Sequence, residues 1–599
     1  MPNFSNCRPP GIADAGWRPK LRRDFKAHFK RRVGDPADDL ARSKQLRFVV
    51  ALTAITHALV ILTNALNREI EKGRKIWTAP DRLPTGQNWV SFRCKGDQLG
   101  ECQRSSSTWD LRRSAGKTTD GLVSGGFGSG MTLPSDGHQG DKPAGERNRL
   151  HFRSPWLEQL DRTAPPQPLD RDLTADVVVV GAGIAGVATA YFILRDTPNT
   201  VVMVERSRVG HGASGRNAGQ LVTYFERPLC SLVDAYGFDM ATRAQAEVDS
   251  AWDLLDEILV ETRIPARIER FDGVMGMYTL NHVLVHLRGQ LIRRKAGLTP
   301  EHVKISDRAP FIEAIPLAFD GLYEVVPQSL IKARLASGDD EYLAVLVNRK
   351  GCGNSALICQ ELLDFLQRTY AERFTYFDHT TVDQIILHSS DATVHCGDHV
   401  IAASRVVLCT NGFNHHKVEN RVGDAIGDDL GNNVDSIIGY MAGFLGPAGA
   451  PPDATSYIRN AEIGGKLPYY YVTRRSYLLG TNESTLTCLG GPEARVDAGA
   501  PYEPYSDMPA TMMRAFDEEV RPVVVPDGPA GADYDFAWHG LMGYTKDKIR
   551  LVGFEPRNPV LMYNLGCNGV GFLPSIAGGR RIARLHRGEA LVPSIFDPK

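Results

Sequence analysis

A short valine strand followed by three closely spaced glycines constrains the fold of this chain more than any other feature of its sequence. The run Val177–Val180 is typical of a strand buried on both faces of a parallel sheet. Gly181, Gly183 and Gly186 follow at the spacing of a dinucleotide-binding turn, and a helix is predicted over 184–195. The first glycine permits a sharp turn, the second lets backbone amides approach a pyrophosphate, and the third lets the helix pack closely on the strand. The helix N-terminus then favours the phosphate charge.

A carboxylate follows the next strand at the position where a ribose would lie. The apolar strand Val201–Val204 delivers Glu205, which can accept hydrogen bonds from an adenosine ribose and would repel a 2′-phosphate, so NADP is disfavoured. The segment 210–220 is then dominated by small residues and carries Arg216, whose fixed charge suits a phosphate or an electron-rich ring. A flexible glycine loop is the alternative interpretation of this segment.

The run Gly212-Ala213-Ser214-Gly215-Arg216-Asn217-Ala218-Gly219, placed after Glu205, resembles a motif of the D-amino-acid oxidase (DAO) superfamily of FAD enzymes. That superfamily includes glycine and sarcosine oxidases and γ-glutamylputrescine oxidoreductases. The resemblance covers roughly residues 154–593 and is specific for FAD but not for substrate. It implies an α/β fold in which a Rossmann-like FAD-binding domain (GR2/DAO type) carries an inserted, mainly antiparallel α+β substrate domain.

Two later segments resemble the other cofactor contacts of the superfamily. The strand-rich stretch 374–412 ends in Thr-Asn-Gly, and a closing strand leads into Gly566–Gly571 and a helix that begins near Pro574. The N-terminus of that helix can stabilise negative charge on a reduced flavin. A plain meander and an ordinary strand–turn–helix are the alternatives. The resemblance implies cofactor-binding roles for Gly181, Gly183, Ile184, Ala185, Gly186, Glu205, Arg206, Gly212, Ala213, Ser214, Arg216, Asn217, Ala218, Gly219, Gln220, Val382, Thr410, Asn411, Gly412, Gly540, Asn568, Gly569, Val570 and Gly571.

The segment 538–547 resembles the part of the superfamily that crosses near the flavin ring. Sarcosine oxidases carry a flavin-linking cysteine there, whereas this chain has no cysteine between Trp538 and Gly566, which predicts non-covalent FAD. His539 and Tyr544 are the candidate catalytic residues that face substrate. A histidine satisfied by its neighbours and a packed tyrosine are the alternatives.

Three consecutive tyrosines resemble the strand that lines the substrate side in the superfamily. Because side chains alternate along a strand, at most two of them can face one pocket. We therefore predict that Tyr469 and Tyr471 bind substrate. Superfamily members often carry arginine after the aromatic pair, where this chain has Val472, which argues against recognition of a substrate carboxylate at that point.

Composition adds limits on partners and compartment. The net charge of −1 gives no reason to expect nucleic acid, and no zinc-binding pattern occurs, so no metal site is predicted. Of the ten cysteines, Cys352 and Cys359, or Cys94 and Cys102, could pair, but scattered free thiols in a reducing compartment fit the spacing better. A cytoplasmic location is therefore expected.

Residues 1–150 differ from the rest of the chain. A basic run over 20–47 precedes an apolar stretch over 48–66, which is about long enough to cross a bilayer, since roughly 20 residues suffice. Its internal polar residues favour a surface-bound or partner-packing helix over a membrane span, and membrane association through it stays open. The segment 105–148 is rich in glycine, serine and charge and is predicted to be a disordered linker.

The remaining chain divides into two predicted domains. The FAD-binding domain is expected over 151–225, 375–430 and 536–599, and the substrate domain over 226–374 and 431–535. Within the substrate domain, the polar stretch 331–354 is predicted to be a variable loop.

The chemistry that the resemblance implies is oxidation of the C–N bond of an amino acid or amine. The α-hydrogen would move as hydride to flavin N5, and water would hydrolyse the imine. Because the cofactor takes the electrons, the protein need only bind, orient and desolvate the substrate. Oxygen or another acceptor would reoxidise the flavin. The alternatives are a membrane-associated dehydrogenase that reduces quinone, a hydroxy-acid oxidoreductase of the same superfamily, and a flavin-binding regulatory protein without turnover.

Overall fold

The computed structural model describes residues 154–337, 339–413, 416–426, 433–458, 469–496, 501–524 and 534–599. The predictions made for residues 1–150, including the apolar stretch 48–66 and the linker, lie outside these ranges. Within the described ranges, no helix combines the length and the apolar character that a membrane span requires.

Strands and helices follow one another along the whole described chain. The strands are β1 (Leu173–Val180), β2 (Val201–Val204), β3 (Gln220–Leu221), β4 (Ile268–Met277), β5 (His302–Ser306), β6 (Tyr323–Val326), β7 (Ala344–Gly353), β8 (Phe374–Phe377), β9 (Gln384–Leu387), β10 (Ala392–Cys396), β11 (His399–Leu408), β12 (Lys417–Asn420), β13 (Val434–Gly446), β14 (Asp453–Ile458), β15 (Tyr469–Leu479), β16 (Asn482–Arg495), β17 (Phe536–Thr545), β18 (Leu551–Phe554) and β19 (Leu561–Leu565). The helices are α1 (Pro155–Glu158), α2 (Ile184–Asp196), α3 (Leu229–Tyr236), α4 (Phe238–Asp249), α5 (Ala251–Thr262), α6 (Leu280–Lys295), α7 (Gln328–Leu335), α8 (Ser355–Thr369), α9 (Ala510–Ala515), α10 (Arg521–Val524) and α11 (Phe572–His586).

The first sheet is the parallel sheet that the valine strand predicts. Strands β8, β2, β1, β11 and β19 lie side by side in that order and run parallel. The order of strands reverses between β1 and β11, and ligands of open α/β sheets bind at the carboxyl ends of the strands at such a point. An antiparallel meander of β9, β10 and β11 extends this sheet, with β12 beside β9 and β18 beside β19.

The four valines of β1 are buried on both faces of the sheet. Val177 and Val179 pack with α2 in one apolar cluster, while Val178 and Val180 pack in a second cluster on the opposite face. Burial of each valine side chain contributes about 1.5–3 kcal/mol relative to exposure. The continuous run of β-branched residues is thus explained by a strand that has no solvent face.

The second sheet is mainly antiparallel. Its strand order is β17-β13-β16-β15-β14-β4-β7-β5-β6, and β3 pairs with β7. Among the described strands of this second sheet, only the pairs β14 with β4 and β5 with β6 are parallel. The predicted combination of a Rossmann-like sheet and a mainly antiparallel α+β part is confirmed.

One local prediction is wrong, and the predicted domain boundaries do not follow the two sheets. The stretch 331–354 is not a loop: it supplies the end of α7 and the strand β7, which pairs with β4 and β5. Two polar residues of this stretch, Asn348 and Lys350, are buried within β7. Strand β17, predicted in the FAD-binding domain, is hydrogen-bonded into the second sheet, whereas α4, α5 and α8 pack in the core of the first.

Candidate active site

A cavity of about 600 Å³ runs from the glycine turn after β1 to the wall formed by the second sheet. One half is lined by residues of the glycine turn and the start of α2, by the end of β2, by the residues that follow β11, and by most of the segment 211–220. The other half is lined by residues of β13, β15, β16 and α6. One cavity therefore joins the predicted dinucleotide motif to the predicted substrate side.

The three glycines of the turn have the geometry predicted for them. Gly181 has a φ of +100°, and a Cβ there would lie 2.9 Å from the carbonyl oxygen of Cys409 at the end of β11. A Cβ on Gly183 would lie 3.0 Å from Ser214 Oγ. A Cβ on Gly186 would lie 1.8 Å from the carbonyl oxygen of Gly181. The turn thus tolerates no side chain at these positions without displacement of backbone or of the neighbouring loop.

Glu205 closes the turn from the second strand. Its Oε2 accepts a hydrogen bond from the Ala182 N–H and its Oε1 one from the Ser207 N–H, both at 2.9 Å. Burial raises the pKa of Glu205, an effect that these two backbone donors oppose. Each carboxylate oxygen has a further lone pair, and Glu205 lines the cavity. The carboxylate therefore holds the turn and can still accept from a ribose hydroxyl.

The segment 210–220 is held against the helix by its own side chains. Ser214 Oγ accepts from the Ile184 N–H at 2.9 Å, at the start of α2. The Asn217 amide donates to the carbonyl oxygens of Ala213 and Ser214, and its Oδ1 accepts from the Gly219 N–H at 2.6 Å. These bonds fix the segment so that its backbone lines the cavity.

Arg216 presents an unsatisfied donor in this half of the site. The side chain is 2% exposed, its Nε donates to the His211 carbonyl and its Nη1 to the Pro504 carbonyl at 2.8 Å. Its guanidinium lies 4.9 Å from the centre of the Tyr505 ring. Nη2 is buried and has no hydrogen-bond partner among the described residues. A buried guanidinium N–H without an acceptor is costly, so this atom suits an anionic or electron-rich group of a bound cofactor.

Replacement of Arg216 by glutamine is expected to weaken FAD binding by about tenfold or more, because hydrogen bonds from charged groups contribute about 1.5–3 kcal/mol. The measurement is the dissociation constant of FAD, obtained by reconstitution of the flavin-depleted protein. Arg171→Gln, at an exposed position, is the matched control. Equal FAD affinity in the two variants would contradict a role for Arg216 at the cofactor.

The later glycine-bearing segments meet at the same end of the cavity. Asn411 Oδ1 accepts from the N–H of Gly543 at 3.1 Å and from the N–H of Cys567 at 3.0 Å. Asn568 Oδ1 accepts from the Thr545 N–H at 2.8 Å. One asparagine thus ties the end of β11 to β17 and to the closing turn, and a second asparagine ties the closing turn to β17.

Most of the predicted cofactor residues line the cavity. Gly186, Gly412 and Asn568 are the exceptions. A Cβ on Gly412 would meet the Met542 carbonyl oxygen at 2.5 Å, so this glycine serves close backbone packing. The predicted residues that line the cavity are Gly181, Gly183, Ile184, Ala185, Glu205, Arg206, Gly212, Ala213, Ser214, Arg216, Asn217, Ala218, Gly219, Gln220, Val382, Thr410, Asn411, Gly540, Gly569, Val570 and Gly571.

Of the two cysteine pairs considered from the sequence, Cys94 and Cys102 lie outside the described residues, and the other pair is not joined. Cys352 and Cys359 are free, buried thiols. Cys567, which follows directly after the interval that lacks cysteine, lines the cavity and is partly exposed. Among the described residues, no group of three histidine, cysteine or carboxylate side chains is arranged to hold a metal ion.

The structure separates the two candidate catalytic residues. His539 is 4% exposed and does not line the cavity. Its Nδ1 lies 3.1 Å from the Tyr502 hydroxyl and its Nε2 lies 3.0 Å from the Ser506 carbonyl, and burial lowers its pKa. This geometry fits a neutral ring that holds the segment 502–506. Tyr544 does not line the cavity either, but its hydroxyl donates at 3.5 Å to Oε1 of Glu493, which does line it.

The tyrosine run alternates between two faces of β15. Tyr469 and Tyr471 line the cavity, with ring centres 6.0 Å apart. Tyr470 is 1% exposed and packs in the core on the other face. Glu226 and Glu493 also line the cavity, and neither was predicted from the sequence. No local pattern marks either residue, because each reaches the cavity only through the packing of the two sheets.

Comparisons with known proteins agree with this architecture. γ-Glutamylputrescine oxidoreductase of Escherichia coli (strain K12) is 40% identical over 91 residues, 15% of this chain and 21% of that protein. Probable oxidoreductase OrdL of Haemophilus influenzae is 33% identical over 107 residues, 18% of this chain and 25% of that protein. The matched region therefore spans about a fifth to a quarter of the length of these curated relatives.

Solved structures establish the fold over a longer range. L-proline dehydrogenase from P. horikoshii has a TM-score of 0.52 and 15% identity, over 71% of this chain and 97% of that one. L-amino acid deaminase from Proteus vulgaris, with its specific insertion sequence deleted, has a TM-score of 0.50 and 16% identity, over 74% of this chain and 97% of that one.

A family match covers the glycine turn, both sheets and the closing helix together. The family described as DAO, FAD dependent oxidoreductase, matches residues 176–585. FAD is the cofactor of that family, in agreement with the glycine turn, Glu205 and the unsatisfied Arg216 donor. Because the match extends over more than half of the sequence and over every segment that lines the cofactor half of the cavity, the chain belongs to the DAO family of FAD dependent oxidoreductases.

Proposed function

We propose that this protein oxidises the C–N bond of an amine or amino acid. The observation that carries the proposal is the cavity of about 600 Å³ that connects the dinucleotide-binding turn with the aromatic wall of Tyr469 and Tyr471. A substrate in the aromatic half would lie next to a cofactor in the glycine half. The names of the relatives, an oxidoreductase of γ-glutamylputrescine among them, support an amine as the reducing substrate.

Different residues of the chain would bind the cofactor and the substrate. Bound FAD supplies the acceptor for the α-hydride, at N5, and the route by which electrons leave. Gly183, Glu205 and Arg216 would hold the dinucleotide, without a covalent bond through 538–566. Tyr469 and Tyr471 would orient the substrate and exclude water from the carbon that reacts. Water admitted after oxidation would hydrolyse the imine to a carbonyl compound and ammonia or a smaller amine.

The test is flavin bleaching without oxygen. Purified protein with bound flavin is mixed anaerobically with matched panels of amines, amino acids, N-methyl amino acids and hydroxy acids, and absorbance near about 450 nm is followed. We expect bleaching by members of the amine or amino-acid panels. Bleaching by hydroxy acids alone would contradict the proposal and favour oxidation of a C–OH bond. Bleaching by none of them would favour the flavin-binding protein without turnover.

The electron acceptor is tested separately with the same substrate. If oxygen is the acceptor, we expect peroxide to accumulate in air at the rate at which the amine is consumed. If peroxide is absent in air while an artificial quinone restores turnover, the enzyme is a dehydrogenase instead. This experiment does not depend on residues 1–150, which can be compared as present or removed.

A further inference from the structure

Four tyrosines and two glutamates form one cluster on the substrate half of the cavity. The Tyr544 hydroxyl reaches Glu493 Oε1 at 3.5 Å. A Cβ built on Gly569, in the closing turn, would lie 2.6 Å from the Tyr544 hydroxyl and 3.8 Å from Glu226 Oε2. The cluster therefore borders the turn that the cofactor half contributes. We call it the tyrosine–glutamate cluster, and its members are Tyr224, Glu226, Tyr469, Tyr471, Glu493 and Tyr544.

The net charge of this cluster is negative. Burial raises the pKa of every tyrosine in it, so the phenols stay neutral at physiological pH. Burial, and then the neighbouring charge of Glu226, raise the pKa of Glu493 to about 7. Lys548 forms an ion pair with one member of this pair: its Nζ lies 3.7 Å from Glu226 Oε1, and its side chain is half exposed. The groups that act on Glu493 are therefore Glu226, Lys548 and Tyr544. Glu493 in turn contributes to the raised pKa of Tyr469 and of Tyr471.

A further polar atom in the same cavity lacks a hydrogen-bond donor among the described residues. Asn348 is 6% exposed and lines the cavity from β7. Its Oδ1 is buried and has no hydrogen-bond partner among the residues that the structure describes. A buried acceptor without a donor destabilises the empty cavity. Carboxylates and an unsatisfied amide oxygen can be satisfied together by a ligand that carries N–H donors and positive charge.

Resting on the proposed function, we propose that the tyrosine–glutamate cluster binds the ammonium group of the substrate, with Glu226 as counterion and Glu493 as the acceptor of its proton. The substrate class is then an alkylamine or diamine that needs no carboxylate for recognition. Tyrosine faces attract an ammonium group by cation–π interaction, and the attraction is stronger when the ammonium group is desolvated. Asn348 Oδ1 would accept from a further N–H of the same molecule.

One proton passes from the ammonium group of the substrate to Glu493. An alkylammonium, R–CH2–NH3+, gives one proton to the Glu493 carboxylate and becomes the neutral amine, while Glu493 becomes a carboxylic acid. The nitrogen lone pair released in this step is what stabilises the adjacent carbon when the hydride leaves. An alkylammonium has a pKa near about 10 in water. Desolvation among the tyrosine rings lowers the pKa of the ammonium group. The raised pKa of Glu493 further reduces the difference between the two pKa values.

The sign of the pH dependence follows from Glu493. A carboxyl whose pKa is about 7 is charged above that pH and neutral below it. Ammonium binding is therefore expected to be full above pH about 7 and to be lost as pH falls through that value. Removal of the Glu226 charge takes away a cause of the raised pKa, so the midpoint moves to lower pH. Removal of the Tyr544 hydroxyl takes away a hydrogen bond that lowers the pKa of Glu493, so the midpoint moves to higher pH.

The test is equilibrium binding to the flavin-loaded protein under anaerobic conditions. The probes are 1-aminobutane and 1,4-diaminobutane, with butyrate as the anionic comparator, and binding is measured by calorimetry across the pH range. In Glu493→Gln we expect both amines to bind about tenfold or more weakly at about pH 8.5, with no midpoint near pH 7. Glu226→Gln and Tyr544→Phe are expected to shift the midpoint in opposite directions. Glu372→Gln, at an exposed position outside the cavity, is the control.

Two results would overturn the proposal. One is amine binding that is unchanged in Glu493→Gln and Glu226→Gln, and the other is butyrate binding as tight as that of 1-aminobutane. Flavin content and circular dichroism identify a variant that has failed to fold. If Glu493→Gln fails to fold, the opposite shifts of the pH midpoint in Glu226→Gln and Tyr544→Phe test the proposal in its place. Amine binding that depends on Glu493 but never bleaches the flavin would leave the ammonium site standing and contradict the proposed oxidation. Bleaching by amines that is unaffected in Glu493→Gln would support the proposed oxidation and contradict the ammonium site.

Discussion

The variant Gly181→Ala is expected to lose its bound flavin and about 3 kcal/mol of unfolding free energy. Two separate costs contribute. The residue has a φ of +100°, where a side chain is strained by about 1–3 kcal/mol. Its Cβ would also lie 2.9 Å from the carbonyl oxygen of Cys409, so β1 or β11 must shift. The shift occurs at the carboxyl ends of the two strands between which the strand order reverses, where the cofactor would bind.

Urea unfolding and absorbance near about 450 nm measure the two effects of Gly181→Ala. The matched control is Gly449→Ala, because Gly449 has a φ of +93° and nothing lies within 4 Å of its added Cβ. The control is expected to cost about 1 kcal/mol and to keep its flavin. If both variants lose flavin equally, the effect comes from backbone strain alone, and the close contact between the ends of β1 and β11 is not what the cofactor requires.

The second large effect is expected from Asn411→Ala. The Asn411 side chain accepts the N–H groups of Gly543 and Cys567, which belong to β17 and to the closing turn. Without it, two backbone donors in the interior lose their acceptor, at about 1–3 kcal/mol each. We expect a loss of about 3 kcal/mol of unfolding free energy. We also expect release of flavin, because the two later cofactor segments are no longer held to the end of β11.

Asn411→Asp separates the lost hydrogen bonds from the other consequences of substitution. Aspartate keeps an acceptor oxygen at the same position and, like asparagine, tolerates the positive φ of 54° found there. It is expected to retain most of the flavin and stability that alanine loses. Equal behaviour of the aspartate and alanine variants in urea unfolding and in flavin content would show that the two acceptor bonds do not hold the segments together.

The parts of the fold that sequence predicted well are those in which neighbouring residues carry the whole constraint. The strand β1 with its three glycines, the start of α2 and the acid after β2 lie within one short stretch. The alternation of Tyr469 and Tyr471 against Tyr470 depends only on the period of a strand. In each case the backbone geometry fixes the outcome before any distant contact is made.

The sequence did not predict which polar side chains are buried. The polar stretch 331–354 was predicted to be a variable loop, yet its Asn348 and Lys350 are buried in β7, and Lys350 Nζ donates to the Val274 carbonyl and to Ser456 Oγ at 3.3 Å. For His539 the sequence left open a catalytic role or a ring satisfied by its neighbours, and the ring nitrogens lie against Tyr502 and Ser506. Hydrogen bonds to distant residues decided these placements, and nothing in the neighbouring sequence encodes them.

The sequence by itself determined that a dinucleotide is held at the end of a parallel sheet, and that the family is one of FAD dependent oxidoreductases. Those conclusions rest on turns and periodicities, which are local. Only the tertiary structure placed Glu226 and Glu493 together among four tyrosines, because they come from segments far apart in the chain that meet where the two sheets face each other. The pocket that would select the substrate is a product of packing, and packing is a property of the whole fold.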